Sequence, residues 1–157
     1  MTQDKTALMD EMDRARVELW KIVDALDPEI DVCPGWNKRD FFAHIAGWEA
    51  IVFEVFVYNT TATPLKTYPY NNLDNLDEAN AGFVAERQSG TLENIRLECE
   101  ISRYAIKRML NDIPSEDFDK PIQFPWAKLT AAQFARDAIS HERDHAADIL
   151  KLQQALT

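Results

Sequence analysis

Four long segments of this chain repeat apolar side chains at steps of three and four residues, the spacing that places them on one face of an α-helix. Each such face must be buried against another, so four of them in 157 residues predict an all-α four-helix bundle in one domain, residues 1–157. A short extra helix is expected over DEANAGFVAERQ, and no central strand is expected. The four long helices are predicted at about residues 3–26, 38–59, 91–112 and from 130 onward.

The last of these helices has a clear start and a predicted buried face. Thr130 with Gln133 three residues later is the capping-box pattern that begins a helix. Its predicted apolar face includes two of the chain's three histidines and reads Phe134, Ala138, His141, His145, Ile149, Leu152 and Leu156.

Charge and composition exclude several classes of function. A net charge of −10 repels a phosphate backbone, and the chain has no Lys/Arg cluster, so nucleic-acid binding is not expected. The most apolar run, IVFEVFVY, is too short to span a bilayer, and the N-terminus lacks the pattern of a signal peptide. Cys33 and Cys99 are far apart and are predicted to be free thiols. A cytoplasmic protein without membrane or nucleic-acid partners is therefore expected.

The segment HERDH places His141 and His145 one helical turn apart, which suits two ligands of one metal ion. It also spells H-E-x-x-H, the motif of zinc proteases, which take a third ligand from a downstream Glu or His. Only AADILKLQQALT follows His145, and Asp148 in it would be an atypical ligand. The protease interpretation is rejected, and Glu142 is expected to be a surface or supporting residue rather than a general base.

The third histidine, His44, lies on the predicted second helix between Phe41 and Trp48. Three neutral imidazoles around Zn²⁺ or Ni²⁺, with positions left for water or substrate, form a catalytic type of site. The alternative is three separate core histidines with hydrogen-bond partners of their own, and the sequence leaves both interpretations open. Asp40 or Asp144 could orient an imidazole, although each also fits a helix cap or a surface charge.

Two segments of the sequence carry a resemblance to a known family. PGWNKRDFFAHIAGWEA, residues 34–50, and PWAKLTAAQFARDAISHERDHAADI resemble the DinB-like superfamily, also called YfiT-like metal-dependent hydrolases, and the likeness covers essentially the whole chain. It implies an up-down-down-up bundle with one long crossover, often as a homodimer. It also implies one divalent metal ion, commonly nickel or zinc, bound by the residues that match the family's ligands: His44, His141 and His145.

The resemblance also implies a function. Relatives include thiol-dependent S-transferases that use bacillithiol, mycothiol or glutathione, and mycothiol-dependent maleylpyruvate isomerases. We therefore expect a thiol-dependent S-transferase or hydrolase acting on a small molecule, with a low-molecular-weight thiol as a possible co-substrate. Asn80 is a candidate for substrate contact, and Trp48 and Trp126 could wall the pocket, although a buried Trp is more often core. The alternative function is a non-catalytic bundle that binds a metal or a small molecule.

Overall fold

Helices make up nearly all of the regular structure in this computed structural model, which describes residues 4–61, 76–124 and 127–156. In these residues a 3₁₀ turn at Ser115–Asp117 and a sheet of two three-residue strands accompany five α-helices. The all-α prediction is confirmed, and the short extra helix is present. The small sheet was not predicted, because strands of three residues are too short to show alternation in a sequence. The elements are α1 (Lys5–Asp24), α2 (Lys38–Thr61), α3 (Leu76–Glu86), α4 (Leu92–Asp112), β1 (Pro121–Gln123), β2 (Lys128–Thr130) and α5 (Ala131–Ala155).

Three of the helices, α1, α4 and α5, begin at side-chain caps that satisfy one of their first backbone N–H groups. The predicted capping box of α5 is confirmed: the Gln133 N–H donates to Thr130 Oγ1 at 3.0 Å, and the Thr130 N–H donates to Gln133 Oε1 at 2.9 Å. Thr91 caps α4 by accepting from the Asn94 N–H at 3.2 Å. Asp4 does the same for α1 by accepting from the Thr6 N–H at 3.0 Å.

Contacts within the chain group into two compact units, each built from separate stretches of sequence. The first consists of Met1–Lys38, Pro114–Pro121 and Leu129–Thr157, and in it α1 packs along α5. The apolar face predicted for α1 is Leu8, Met12, Leu19, Val23 and Leu26. The first four are buried, whereas Leu26 lies beyond the end of the helix at Asp24 and is only partly buried.

The buried face of α5 differs from the predicted one. Its buried residues are Ala131, Ala132, Ala135, Ile139, Glu142 and Ile149. The face is thus rotated by about one residue, so His141 is exposed and His145 is partly buried rather than both lying in the core. The prediction followed the large side chain of Phe134, whereas alanines form much of the real contact surface and give only a weak hydrophobic signal.

The second unit consists of Arg39–Ile113 and Ile122–Lys128 and contains most of α2 together with α3 and α4. The first half of α2 is buried on nearly every side rather than on one stripe. The steps of three and four in α4 predict a buried seam of Leu92, Ile95, Cys99, Ser102, Ile106 and Met109. Half of this seam is buried, namely Ile95, Cys99 and Ile106, and the other three residues are partly exposed. The Cys99 thiol donates to the backbone oxygen of Phe42 at 3.2 Å and so ties α4 to α2.

Gly47 explains how closely α3 packs on α2. A Cβ atom at Gly47 would overlap the side chain of Phe83 on α3, so the absence of a side chain permits the contact. Phe83 is itself buried, as is Ala79 one turn earlier. This contact fixes the turn of α3 that carries Asn80.

No helix in residues 4–61, 76–124 or 127–156 is both long enough and apolar enough to cross a membrane. The prediction that residues 1–157 form one domain stays a prediction.

Candidate metal centre

The histidine pair predicted from HERDH lies in the middle of α5. The ring centroids of His141 and His145 are 4.3 Å apart, with the ring planes inclined at 48°. A ring nitrogen of one lies within 4.8 Å of a ring nitrogen of the other. Two nitrogens that share a tetrahedral zinc ion are about 3.3 Å apart, given Zn–N distances of about 2.0–2.1 Å. Small side-chain rotations would therefore bring both rings onto one ion.

Their surroundings keep these two imidazoles in the form that can bind a metal. The pKa of His145 is lowered to about 4, mainly by burial and secondly by the neighbouring His141, against the opposing effect of nearby carboxylates led by Asp148. Partial burial also lowers the pKa of His141, which keeps a solvent-exposed edge. Both rings are then neutral near pH 7, and a metal ion needs neutral imidazole.

Glu142, between the two histidines in sequence, is buried, whereas His141 is exposed and His145 is partly buried. Its Oε1 accepts from Arg16 Nε at 3.0 Å and from Arg16 Nη2 at 2.7 Å. The Arg16 guanidinium also lies over the ring of Trp20, 4.4 Å from its centroid. Glu142 is therefore not a surface residue, and its ion pair with Arg16 gives it a structural role instead of that of a protease base.

Arg16 was missed from the sequence, although a signal was present. It lies four residues after Met12 and three before Leu19, inside the apolar stripe of α1. A charged residue at such a position usually has a buried partner.

His44 is buried on α2 in the second unit. Its Nδ1 is 2.9 Å from Oδ1 of Asn80, and the indole Nε1–H of Trp48 donates to the same oxygen at 2.7 Å. Trp48 also packs edge-on against Phe83, with ring centroids 5.2 Å apart. Two of the predicted substrate-binding residues, Trp48 and Asn80, thus adjoin one of the predicted metal ligands, whereas Trp126 lies outside the described residues.

The two aspartates considered as orienting groups occupy positions that fit the simpler interpretation. Asp40 lies in the first turn of α2, with Oδ1 3.6 Å from Nη2 of Arg39. Asp144 is exposed on α5.

A pocket in the second unit does not coincide with these residues. It has a volume of about 170 Å³ and is lined by charged as well as apolar side chains. Because His44, Trp48 and Asn80 are not among its lining residues, it does not mark the proposed substrate site. The lining is Gly47, Ala50, Ile51, Glu54, Phe83, Glu86 and Arg87.

The helices and histidines together define an all-α protein with candidate metal ligands on α2 and α5. The chain belongs to the DinB superfamily, whose family model matches residues 11–149. The family resemblance in the sequence and the expected DinB-like bundle fold are both confirmed. No curated protein sequence matches the chain.

Solved structures with this fold include the mycothiol-dependent maleylpyruvate isomerase. It superposes with a TM-score of 0.71 at 14% identity, covering 94% of this chain and 61% of the isomerase chain. A histidine-to-alanine mutant of the isomerase gives the same TM-score at 13% identity and the same coverage. A Streptococcus pneumoniae protein solved by a structural genomics consortium gives 0.77 at 14% identity, covering 98% of this chain and 92% of that one. At these identities the likeness shows the fold alone, and this chain spans about three fifths of the isomerase.

Proposed function

We propose that this chain is a metal-dependent enzyme acting on a small molecule, with His44, His141 and His145 binding one divalent metal ion. The observation that carries the proposal is that these three histidines are a group of potential ligands that could hold one ion. Nitrogen ligands of this kind suit Zn²⁺ and Ni²⁺, which are the proposed metals.

The described residues support this ligand set in three ways. The α5 pair is neutral near pH 7, because burial lowers the pKa of both rings. The Nδ1 atom of His44 lies 2.9 Å from Oδ1 of Asn80, so Nε2 is the nitrogen proposed to bind the metal. His141 is exposed, so a small molecule can reach its ring from solvent.

The proposed reaction is the transfer of a carbon group from a small electrophile to the sulfur of a thiol. The alternative reaction is hydrolysis, in which water takes the place of the thiol. When bound, the divalent ion would supply Lewis acidity that lowers the pKa of the thiol or the water. In the thiol reaction the sulfur forms a C–S bond, the leaving group departs with its electron pair, and the thiol proton passes to solvent. Since Glu142 is held by Arg16, the nucleophile is proposed to be the co-substrate rather than a protein side chain.

A low-molecular-weight thiol such as bacillithiol, mycothiol or glutathione is the proposed co-substrate. The support is membership of the DinB superfamily and the fold shared with an isomerase that is named as mycothiol-dependent. A homodimer is proposed on the family resemblance alone, and a cytoplasmic location on the composition of the sequence.

Metal analysis of the purified protein tests the ligand set. We expect about one equivalent of a divalent metal in the wild type and much less in His44→Ala, His141→Ala and His145→Ala. Because the chain has three histidines in total, each variant removes one third of its imidazoles. Asp137→Asn, at an exposed position on α5, is the control and should keep its metal. A wild type that binds no metal, or triad variants that bind it as tightly, would overturn the assignment.

A second assay separates an enzyme from a binding protein. The metal-loaded protein is incubated with each of the three thiols and a chromogenic aryl halide, and thiol consumption is followed. Turnover that requires both metal and His141, and that persists in Asp137→Asn, supports the enzyme. Stoichiometric metal binding without turnover of any thiol supports the alternative, a non-catalytic binding module.

A further inference from the structure

We propose that Asn80 and Trp48 are positioning residues that fix the tautomer of His44, so that Nε2 is the nitrogen offered to the metal. This inference rests on the proposed role of His44 as a ligand. It concerns how that ring is held, which is a separate question from whether it binds an ion.

The orientation of the Asn80 amide follows from its hydrogen-bond partners. Its oxygen and nitrogen are nearly alike in shape, so the hydrogen-bond partners decide which atom lies where. The indole N–H of Trp48 can only donate, and it is 2.7 Å from the Asn80 atom. That atom must therefore be the oxygen, since an NH₂ group there would place two donors against each other.

The position of the Asn80 oxygen also determines where His44 carries its hydrogen. Its Nδ1 lies 2.9 Å from the same Asn80 oxygen, which carries no hydrogen. A hydrogen bond between the two then requires the hydrogen on Nδ1, and the amide oxygen has two lone pairs for its two donors. A neutral imidazole protonated at Nδ1 has its remaining lone pair on Nε2, the atom that can bind a metal.

Packing holds His44, Trp48 and Asn80 in this arrangement. Trp48 follows His44 by one turn on α2, so both donors reach the same oxygen. On the α3 side, Phe83 is buried one turn after Asn80 and contacts both Trp48 and the surface above Gly47. His44 is itself only 4% exposed, so its ring has little freedom to find another partner.

Variants of Asn80 and Trp48 should therefore differ in how much metal affinity they lose. Outer partners of metal-bound histidines typically change metal affinity by about 10–100-fold. Asn80→Ala removes the acceptor and should weaken metal binding by about that much. Asn80→Asp keeps an acceptor for both donors and should bind within a few-fold of the wild type. Trp48→Phe should give an intermediate loss, because without the indole the amide can turn its NH₂ group toward Nδ1 and favour the other tautomer.

The test combines metal affinity with a direct view of the tautomer in the metal-free protein. Long-range ¹H–¹⁵N NMR spectra report which imidazole nitrogen carries the hydrogen, and a His44→Gln spectrum identifies the His44 signals among three histidines. We expect His44 to be protonated at Nδ1 in the wild type and in Asn80→Asp, and to populate both tautomers in Asn80→Ala and Trp48→Phe. Asn94→Ala, an exposed Asn-to-Ala change on α4, is the control and should alter neither measurement.

The outcomes keep the inference separate from the proposed function. If His44→Ala leaves metal binding intact, the ligand assignment fails, whatever the tautomer. If His44→Ala abolishes binding but the wild-type ring is protonated at Nε2, or Asn80→Ala binds as well as Asn94→Ala, the positioning role is overturned. The wild-type spectrum decides the tautomer even if an Asn80 variant does not fold.

Discussion

Two neighbouring residues on α5 differ in burial and in bonding partners, and this difference determines the chemistry available on the helix. His141 keeps an exposed edge, whereas the next residue, Glu142, is buried and bonded to Arg16. The H-E-x-x-H spacing brings these residue types together, but the direction of each side chain decides what they can do. Here the histidines are available to a metal, and the glutamate serves the contact between α1 and α5.

Removing Glu142 should destabilise the protein strongly. Glu142→Ala leaves the Arg16 guanidinium buried without its carboxylate, a change that costs about 3–5 kcal/mol for buried pairs. The double variant Arg16→Met/Glu142→Leu removes both charges and should recover more than half of that loss. Urea unfolding of the three proteins measures the effect. If the free energy of unfolding of Glu142→Ala lies within about 1 kcal/mol of the wild-type value, the pair is not a buried structural contact.

His145 should make the metal-free protein acid-sensitive. Its pKa is lowered to about 4 in the folded protein from an ordinary value of 6.5, so below pH 6.5 the unfolded chain binds a proton that the folded chain refuses. Stability therefore falls as the pH drops through the window between these two values. From pH 7 to pH 5, in the presence of a chelator, the wild type should lose about 1–2 kcal/mol more than His145→Gln. Parallel losses in the two proteins would contradict the lowered pKa.

At the scale of helices, the sequence was informative wherever large apolar side chains or caps mark the pattern. The buried face of α1, the seam of α4 and the capping box at Thr130 all follow from such signals. The face of α5 was misplaced because alanines form much of it. The role of α3 could not be predicted either. It depends on a contact between Gly47 and Phe83, and the periodicity of apolar residues gives no information about such a contact.

Gly47→Ala should disturb both stability and metal binding. Alanine favours a helix over glycine by about 0.5–1 kcal/mol, but the new Cβ would overlap Phe83, and overpacking costs about 1–3 kcal/mol. We expect a net loss of stability, with weaker metal binding because α3 carries Asn80. Thermal unfolding and metal titration measure the two effects.

Gly90→Ala provides the comparison for that variant. The added Cβ would lie 3.1 Å from Cγ1 of Ile95 and 3.3 Å from the backbone oxygen of Arg87, which is a tight contact but not the overlap found at Gly47. Metal binding should be unchanged in this variant. Equal metal affinities in Gly47→Ala and Gly90→Ala would contradict the link from Gly47 through α3 to His44.

At the scale of the whole molecule, the family match from residue 11 to residue 149 includes segments of both compact units. His44 belongs to the second unit, and His141 and His145 belong to the first. The sequence motifs predicted the family and the candidate ligands. They did not predict that Asn80 and Trp48 share one hydrogen-bonded oxygen beside His44, because that requires the placement of α3 on α2.

A crystal structure of the metal-loaded protein, with anomalous scattering recorded at the absorption edge of the metal, tests the ligand assignment most directly. The result predicted is a single anomalous peak about 2.0–2.2 Å from one nitrogen of each of His44, His141 and His145, with Nε2 as the contributing atom of His44. A peak bound by fewer than these three rings, or by other side chains, would contradict it.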